Sequence, residues 1–182
     1  MSTVYPSNYY NHADDNSDSA NRRERLLFID GRYLQGAELN EMQSMAQKRI
    51  TGIGDALFSD GDVISDGQIS VNSSTGAVSA QAGKVYLSGA VREVPAATFT
   101  IPIKGTVAIG IRMSTASVSE ADDKTLYNPA VGTRSEGEPG AWREVVTLSW
   151  GHSEDGGEGD FYAIYTIDDG VVRVTETPPE LS

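Results

Sequence analysis

The spacing of apolar and polar positions changes twice along the chain. Residues 1 to 25 hold almost no aliphatic side chain, and Ser, Asn, Asp, Tyr and Arg dominate. Such a segment buries too little apolar area to offset the entropy of ordering it, so it reads as an extended polar arm. Its tyrosines Tyr5, Tyr9 and Tyr10 are the exception. Amphipathic rings on a loose strand either anchor in pockets that a partner provides or are incidental to a tail.

Leu26-Leu27-Phe28-Ile29 is a short apolar run closed by the turn pair Asp30-Gly31. From there Leu39, Met42, Ala46, Ile50, Ile53 and Leu57 recur at steps of three and four. That period predicts an amphipathic helix over about residues 36 to 58, stopped by Gly61. Glu38, Asn40, Glu41, Gln43, Gln47, Lys48 and Arg49 are expected on its solvent face. Gly52 and Gly54 each cost about 1 kcal/mol relative to alanine inside a helix, so they mark either a weak point or a close approach.

After Asp62 the period becomes two. Segments such as Lys84 to Leu87, Ala90 to Val94, Thr98 to Ile101, Thr106 to Ile111, Glu144 to Leu148 and Tyr162 to Ile167 are short, β-branched and separated by glycine-bearing turns. Ser88-Gly89 and Asp169-Gly170 are two-residue hairpin linkers. Pro102 puts Thr98 to Ile103 at a sheet edge or bulge. The stretch 115 to 141, rich in proline and glycine, reads as a long loop of the kind that is functional or mobile. Thr177-Pro178-Pro179-Glu180 ends the last strand, and 178 to 182 read as the start of a linker. The expected class is α+β, mostly β: an arm over 1–25, an assembly element over 26–61 holding the apolar run and the helix, and an antiparallel sandwich or barrel-like domain over 62–177.

Composition narrows the chemistry. The chain has 182 residues with 14 Lys+Arg against 26 Asp+Glu, a formal charge of −12. A charge of that sign repels a phosphate backbone, and no basic cluster exceeds Arg22-Arg23-Glu24-Arg25, so nucleic acid is not an expected partner. Without a single cysteine, thiol catalysis, thiolate zinc sites and iron–sulfur clusters are out. Apolar runs fall far short of the ~20 residues that cross a bilayer, and Met1 to Tyr10 has no signal-peptide pattern. These features predict a soluble chain folded in a reducing cytoplasm.

The motifs that carry chemistry fail at their demanding positions. Gly151-His152-Ser153 lacks the second glycine of a nucleophile elbow. Counted from Asp14, a calcium loop would need glycine where Ser19 stands and glutamate where Arg25 stands. Glu154 to Asp160 is an acidic glycine-rich loop, either a weak cation site or simply a solvated turn. Gly83-Lys84 lacks the spacing of a phosphate-binding loop. No cofactor, metal or catalytic residue is expected, and the chain is expected not to be an enzyme.

The helical stripe is the strongest pattern. Burying its six side chains contributes on the order of 6–12 kcal/mol, at roughly 1–2 kcal/mol each. Either the β domain of the same chain covers it, or sister copies do through a seam of parallel helices in which the small Ala46 allows close approach. Two rival functions stay open: a carbohydrate-binding module stacking sugars on Trp142, Trp150 and Tyr162, or a fragment of a polysaccharide-cleaving protein with a convergent carboxylate pair. Trp142 and Trp150 are eight apart, hence on one face of a regular strand, and read most simply as a core pair.

Five blocks carry a family resemblance. They are Gly31-Arg32-Tyr33-Leu34-Gln35-Gly36-Ala37-Glu38-Leu39-Asn40-Glu41-Met42-Gln43; Gly54-Asp55-Ala56-Leu57-Phe58 with Asp60-Gly61-Asp62-Val63; Ala82-Gly83-Lys84-Val85-Tyr86-Leu87 with Val94-Pro95-Ala96; Asn128 to Arg134 with Gly137 to Gly140; and Phe161 to Gly170 with Pro178-Pro179-Glu180. In this order they resemble the uncharacterised N-terminal domain of tail-fibre and baseplate-attached proteins of tailed bacteriophages. The resemblance implies a virion structural role: an adaptor that fixes a fibre or spike to the tail as a homotrimer, assembled in the host cytoplasm. Its implied partners are itself, baseplate or tail proteins, and distal fibre domains further along a parent polypeptide. On this reading Leu39, Met42, Ala46, Ile50, Ile53 and Leu57 form the oligomer interface, and Tyr5, Tyr9 and Tyr10 dock a partner.

Overall fold

A computed structural model describes residues 5–13 and 23–173. The expected linker from 178 and the acidic series Asp14 to Asp18 lie outside those residues. Among the described residues there are one α-helix and ten strands: α1 (Gly36–Leu57), β1 (Val63–Asp66), β2 (Ile69–Val71), β3 (Ala77–Ala80), β4 (Gly83–Leu87), β5 (Ala90–Val94), β6 (Ala97–Thr100), β7 (Thr106–Val118), β8 (Arg143–His152), β9 (Asp160–Asp168) and β10 (Val171–Arg173). The strands form three antiparallel sheets in a sandwich-like arrangement, ordered β1-β4-β5, β2-β3-β6 and β10-β9-β7-β8. The fold is mostly β, with one helix laid against it.

Alternation decides what each strand buries. In β3, Val78 and Ala80 point inward while Ala77 and Ser79 face out. They meet Val85 and Leu87 of β4, Ile109 and Ile111 of β7, Trp150 of β8 and Ile167 of β9 in one core. The two short linkers act as the sequence predicts. Ser88 and Gly89 both sit at positive φ, 47° and 76°, and join Leu87 to Ala90; Asp169 and Gly170 do the same for Asp168 and Val171. β6, which precedes Pro102, is an edge strand.

The longest pair departs from expectation. β9 follows β7 only as far as Met113, whereas β8 stays paired with β7 out to Val118. Residues 115 to 118 are therefore strand, part of a two-stranded ribbon that outruns its sheet, and the loop begins at Ser119. That loop is internally organised. Ser119 donates to Asp122 from both hydroxyl and backbone, Asp123 caps a short 3-10 turn over Lys124–Leu126, and Asn128 bonds Ser135 at 2.9 Å. Trp142 stands before β8 and is exposed, while Trp150 is buried with its Nε1 donating to the Gln81 carbonyl at 3.0 Å. The two are not a core pair, because β8 starts after Trp142 and the sandwich does not reach that far along the ribbon.

The acidic turn after β8 is held by a charge pair. Arg112 of β7 donates to Asp155 at 2.7 Å and lies over the Phe161 ring, while the backbone N–H groups of His152 and Gly157 donate to the same carboxylate at 2.9 and 2.8 Å. Burial alone would raise the Asp155 carboxyl. The Arg112 hydrogen bond, the two backbone donors and the Arg112 charge outweigh it and hold the carboxyl down at about 2, against an ordinary 3.8. A group with a depressed folded value contributes stability that is complete above about pH 4 and is lost as pH falls toward 2. With partial solvent screening, that is roughly 1–2 kcal/mol. Asp155→Asn should lower the thermal midpoint at pH 7 and flatten its dependence between pH 4 and 2; an unchanged slope would show that the pair does not couple to folding.

Candidate functional site

The apolar stripe of α1 is uncovered. Leu39 is 42% exposed, Met42 48%, Ile50 64%, Ile53 66% and Leu57 49%, and Ala46 between them is exposed too. The opposite face explains this. Glu41, Ser44, Lys48, Thr51 and Asp55 also recur at steps of three and four, and this polar stripe faces the rest of the chain, with Glu41 buried. Glu41, expected on the solvent face, is only 5% exposed. Each of the other four meets a partner. Asn11 donates to Ser44 at 2.8 Å, Lys48 donates to the Ala13 carbonyl, Thr51 donates to the Gly89 carbonyl at 3.2 Å, and Asp55 accepts from the Tyr86 hydroxyl at 2.7 Å. Among the described residues no buried side-chain polar atom lacks a partner, so the polar face is docked at little desolvation cost.

Tyr86 fixes the docking. In β4 it alternates with Val85 and Leu87, which face the core, so its ring leaves the sheet on the other side. There the Phe58 ring lies 5.5 Å away and the backbone of Gly54 comes close enough that a Cβ would stand 2.7 Å from the ring. Gly54 is thus the close approach that the sequence flags, whereas a Cβ on Gly52 would meet open space. Burial, then the hydrogen bond to Asp55, then the charges of Asp55 and Asp60 push the Tyr86 phenol up to about 12.

The arm occupies the other end. Tyr5 and Tyr9 stack at 4.4 Å, and Tyr5 donates to Glu144 of β8 at 2.7 Å. Asn40 donates to the Tyr10 carbonyl at 2.9 Å, leaving the Tyr10 ring exposed. Of the three arm tyrosines, two are thus engaged within the chain and Tyr10 faces outward. Leu27, Phe28, Ile29, Tyr33 and Leu34, between arm and helix, are also exposed; Arg49 reaches back to Glu24 at 3.0 Å.

The geometry bears on the two rivals. Trp150 is buried and Trp142 stands apart, so Trp142, Trp150 and Tyr162 make no shared stacking platform. Of two surface grooves, one is lined by Ser70, Ser79, Thr98 and neighbours without a carboxylate, and the other, beside α1, holds only Asp55. No group of three or more His, Asp or Glu among the described residues is arranged to hold a metal ion. No helix among them is long and apolar enough to cross a membrane. What sequence reasoning missed is the docked polar stripe; its signal was the same three-four spacing, running Glu41, Ser44, Lys48, Thr51, Asp55, of which Glu41 and Lys48 were read as solvent-facing.

Residues 11–182 match a family described as Domain of unknown function (DUF4815), and the chain belongs to it. No curated protein matches it in sequence. Two solved structures are similar in outline, one described as the crystal structure of TssK and one as the baseplate complex from the type VI secretion system. At 9% identity they give TM-scores of 0.42 and 0.41, each alignment covering 83% of this chain and 40% of the other. The chain spans about two fifths of the length of those chains, and likenesses of that size say nothing of what it binds.

Helix docking is testable at Gly54. In an isolated helix Gly→Ala gains up to about 1 kcal/mol. Here the methyl group displaces the Tyr86 ring, and Gly54→Ala should instead cost about 1–3 kcal/mol. Amide exchange should accelerate across residues 48–57 with the β core unchanged; a raised melting temperature would contradict the docking geometry.

Proposed function

We propose that this DUF4815 chain is a non-enzymatic virion structural module, an adaptor that joins a tail fibre or tailspike to the phage baseplate through symmetric association of its own copies. One observation carries the reading: α1 docks on its own chain by its polar stripe and turns its apolar stripe outward. The five large apolar side chains of that stripe leave on the order of 500 Å² uncovered, already near the largest patch of a typical monomer. Residues 27 to 34 add a similar amount, and about 800 Å² per partner suffices for a stable interface. No charged side chain interrupts the stripe, as befits the desolvated centre of an interface. A chain carrying −12 needs such a seam to overcome repulsion between copies.

The resemblance of the five sequence blocks supplies the rest: a homotrimer, baseplate or tail proteins as partners of the arm and β domain, and distal fibre domains in a parent polypeptide. In this reading the sandwich is a rigid collar, and Tyr10 is the arm tyrosine free to meet a partner. Mass photometry across a range of concentrations should return a concentration-independent trimer, and Met42→Asp with Ile50→Asp should reduce it to monomer with an unchanged circular dichroism spectrum. A wild-type chain that is strictly monomeric and binds a glycan array would replace the adaptor reading with the sugar-binding one.

A further inference from the structure

The stripe has a finer period than alternating threes and fours. Leu39, Met42 and Ala46 are each followed eleven residues later by Ile50, Ile53 and Leu57, so the six positions form two successive repeats with the same internal spacing. An eleven-residue repeat corresponds to 3.67 residues per turn, slightly more than the 3.6 of a straight helix, and keeps a seam aligned with a slight right-handed supercoil. A seven-residue repeat would demand a left-handed one. A second helix running the same course would meet such a seam level by level, repeat against repeat. The polar face of α1 is already taken by Tyr86, Gly89 and the arm, so the partner helix must approach from the outside.

We infer that the outward stripe of α1 is the seam of a parallel, in-register bundle made with the same helix of sister copies, nearly straight or gently right-handed. The inference rests on the assembly reading above and specifies its geometry. Where the helix runs along the axis of a closed cyclic assembly, every copy is parallel to the others and equal numbers meet at each level. The upper repeat brings Leu39, Met42 and the small Ala46 together, and the lower brings Ile50, Ile53 and Leu57. Isoleucine at two adjacent seam positions favours three or four strands over two. The seam and the sheet contacts use opposite faces of one helix, so assembly need not disturb the fold.

The absence of cysteine makes a direct test available in the full chain. Met42→Cys and Ile53→Cys replace exposed side chains and should leave the protomer folded. Each single variant, treated with a short bismaleimide at native oligomer mass, should convert most of the protein to covalent dimer. Thr98→Cys, on the exposed face of β6, should give none. Cross-linking confined to a mixture of Leu39→Cys with Leu57→Cys would establish antiparallel helices and overturn the inference. An intact oligomer in which neither Met42→Cys nor Ile53→Cys cross-links would also overturn it, leaving the assembly reading to stand on another surface. A monomeric wild-type chain would overturn both.

Discussion

The orientation of α1 depends on the hydroxyl of Tyr86 and the missing side chain of Gly54. β4 is buried on both faces at its C-terminal end: Val85 and Leu87 enter the core, and Tyr86 between them has to leave on the other side. A buried phenol needs an acceptor, and Asp55 of the helix provides it at 2.7 Å. The ring also needs room, which Gly54 leaves by having no Cβ. Once those two contacts are made, the helix cannot roll. Thr51 falls on the β4–β5 turn, Ser44 and Lys48 fall on the arm, and the residues on the opposite side of the helix point into solvent.

That roll angle inverts the usual arrangement of an amphipathic helix on a sheet, in which the apolar stripe faces the core. Hydrogen bonds replace hydrophobic burial as the glue within the protomer, each with a modest net contribution. The apolar stripe of the helix is thereby left uncovered by its own protomer. The arm shares in this, because the Tyr5–Tyr9 stack and the bond to Glu144 tie it between the helix and the start of β8. The ribbon that carries Glu144 outruns its sheet, so the arm, the helix and the ribbon form a continuous polar framework along one side of the sandwich.

Much of the fold was legible because it is local. The helix declares itself through spacing, and the hairpins through Ser88-Gly89 and Asp169-Gly170, where two residues at positive φ leave the chain one way to turn. The long loop was visible as a concentration of proline and glycine, but its start was not. Thr115 to Val118 are polar or small residues of a ribbon whose pairing with Arg143 to Val146 is non-local. Trp142 misled for a related reason: even spacing on a strand means one face only if the strand extends that far, and β8 does not.

By itself the sequence determined the helix and most of the strands, the absence of thiol chemistry, and the existence of a regular apolar stripe. These follow from periodicity and composition, which need no knowledge of neighbours. Which side of the helix faces the sheet was decided only by tertiary structure. Two stripes with the same spacing run along α1, one apolar and one polar, and the helical period treats them alike. Choosing between them required a phenol from a distant strand and the backbone of an arm to satisfy the polar one, leaving the apolar one outside.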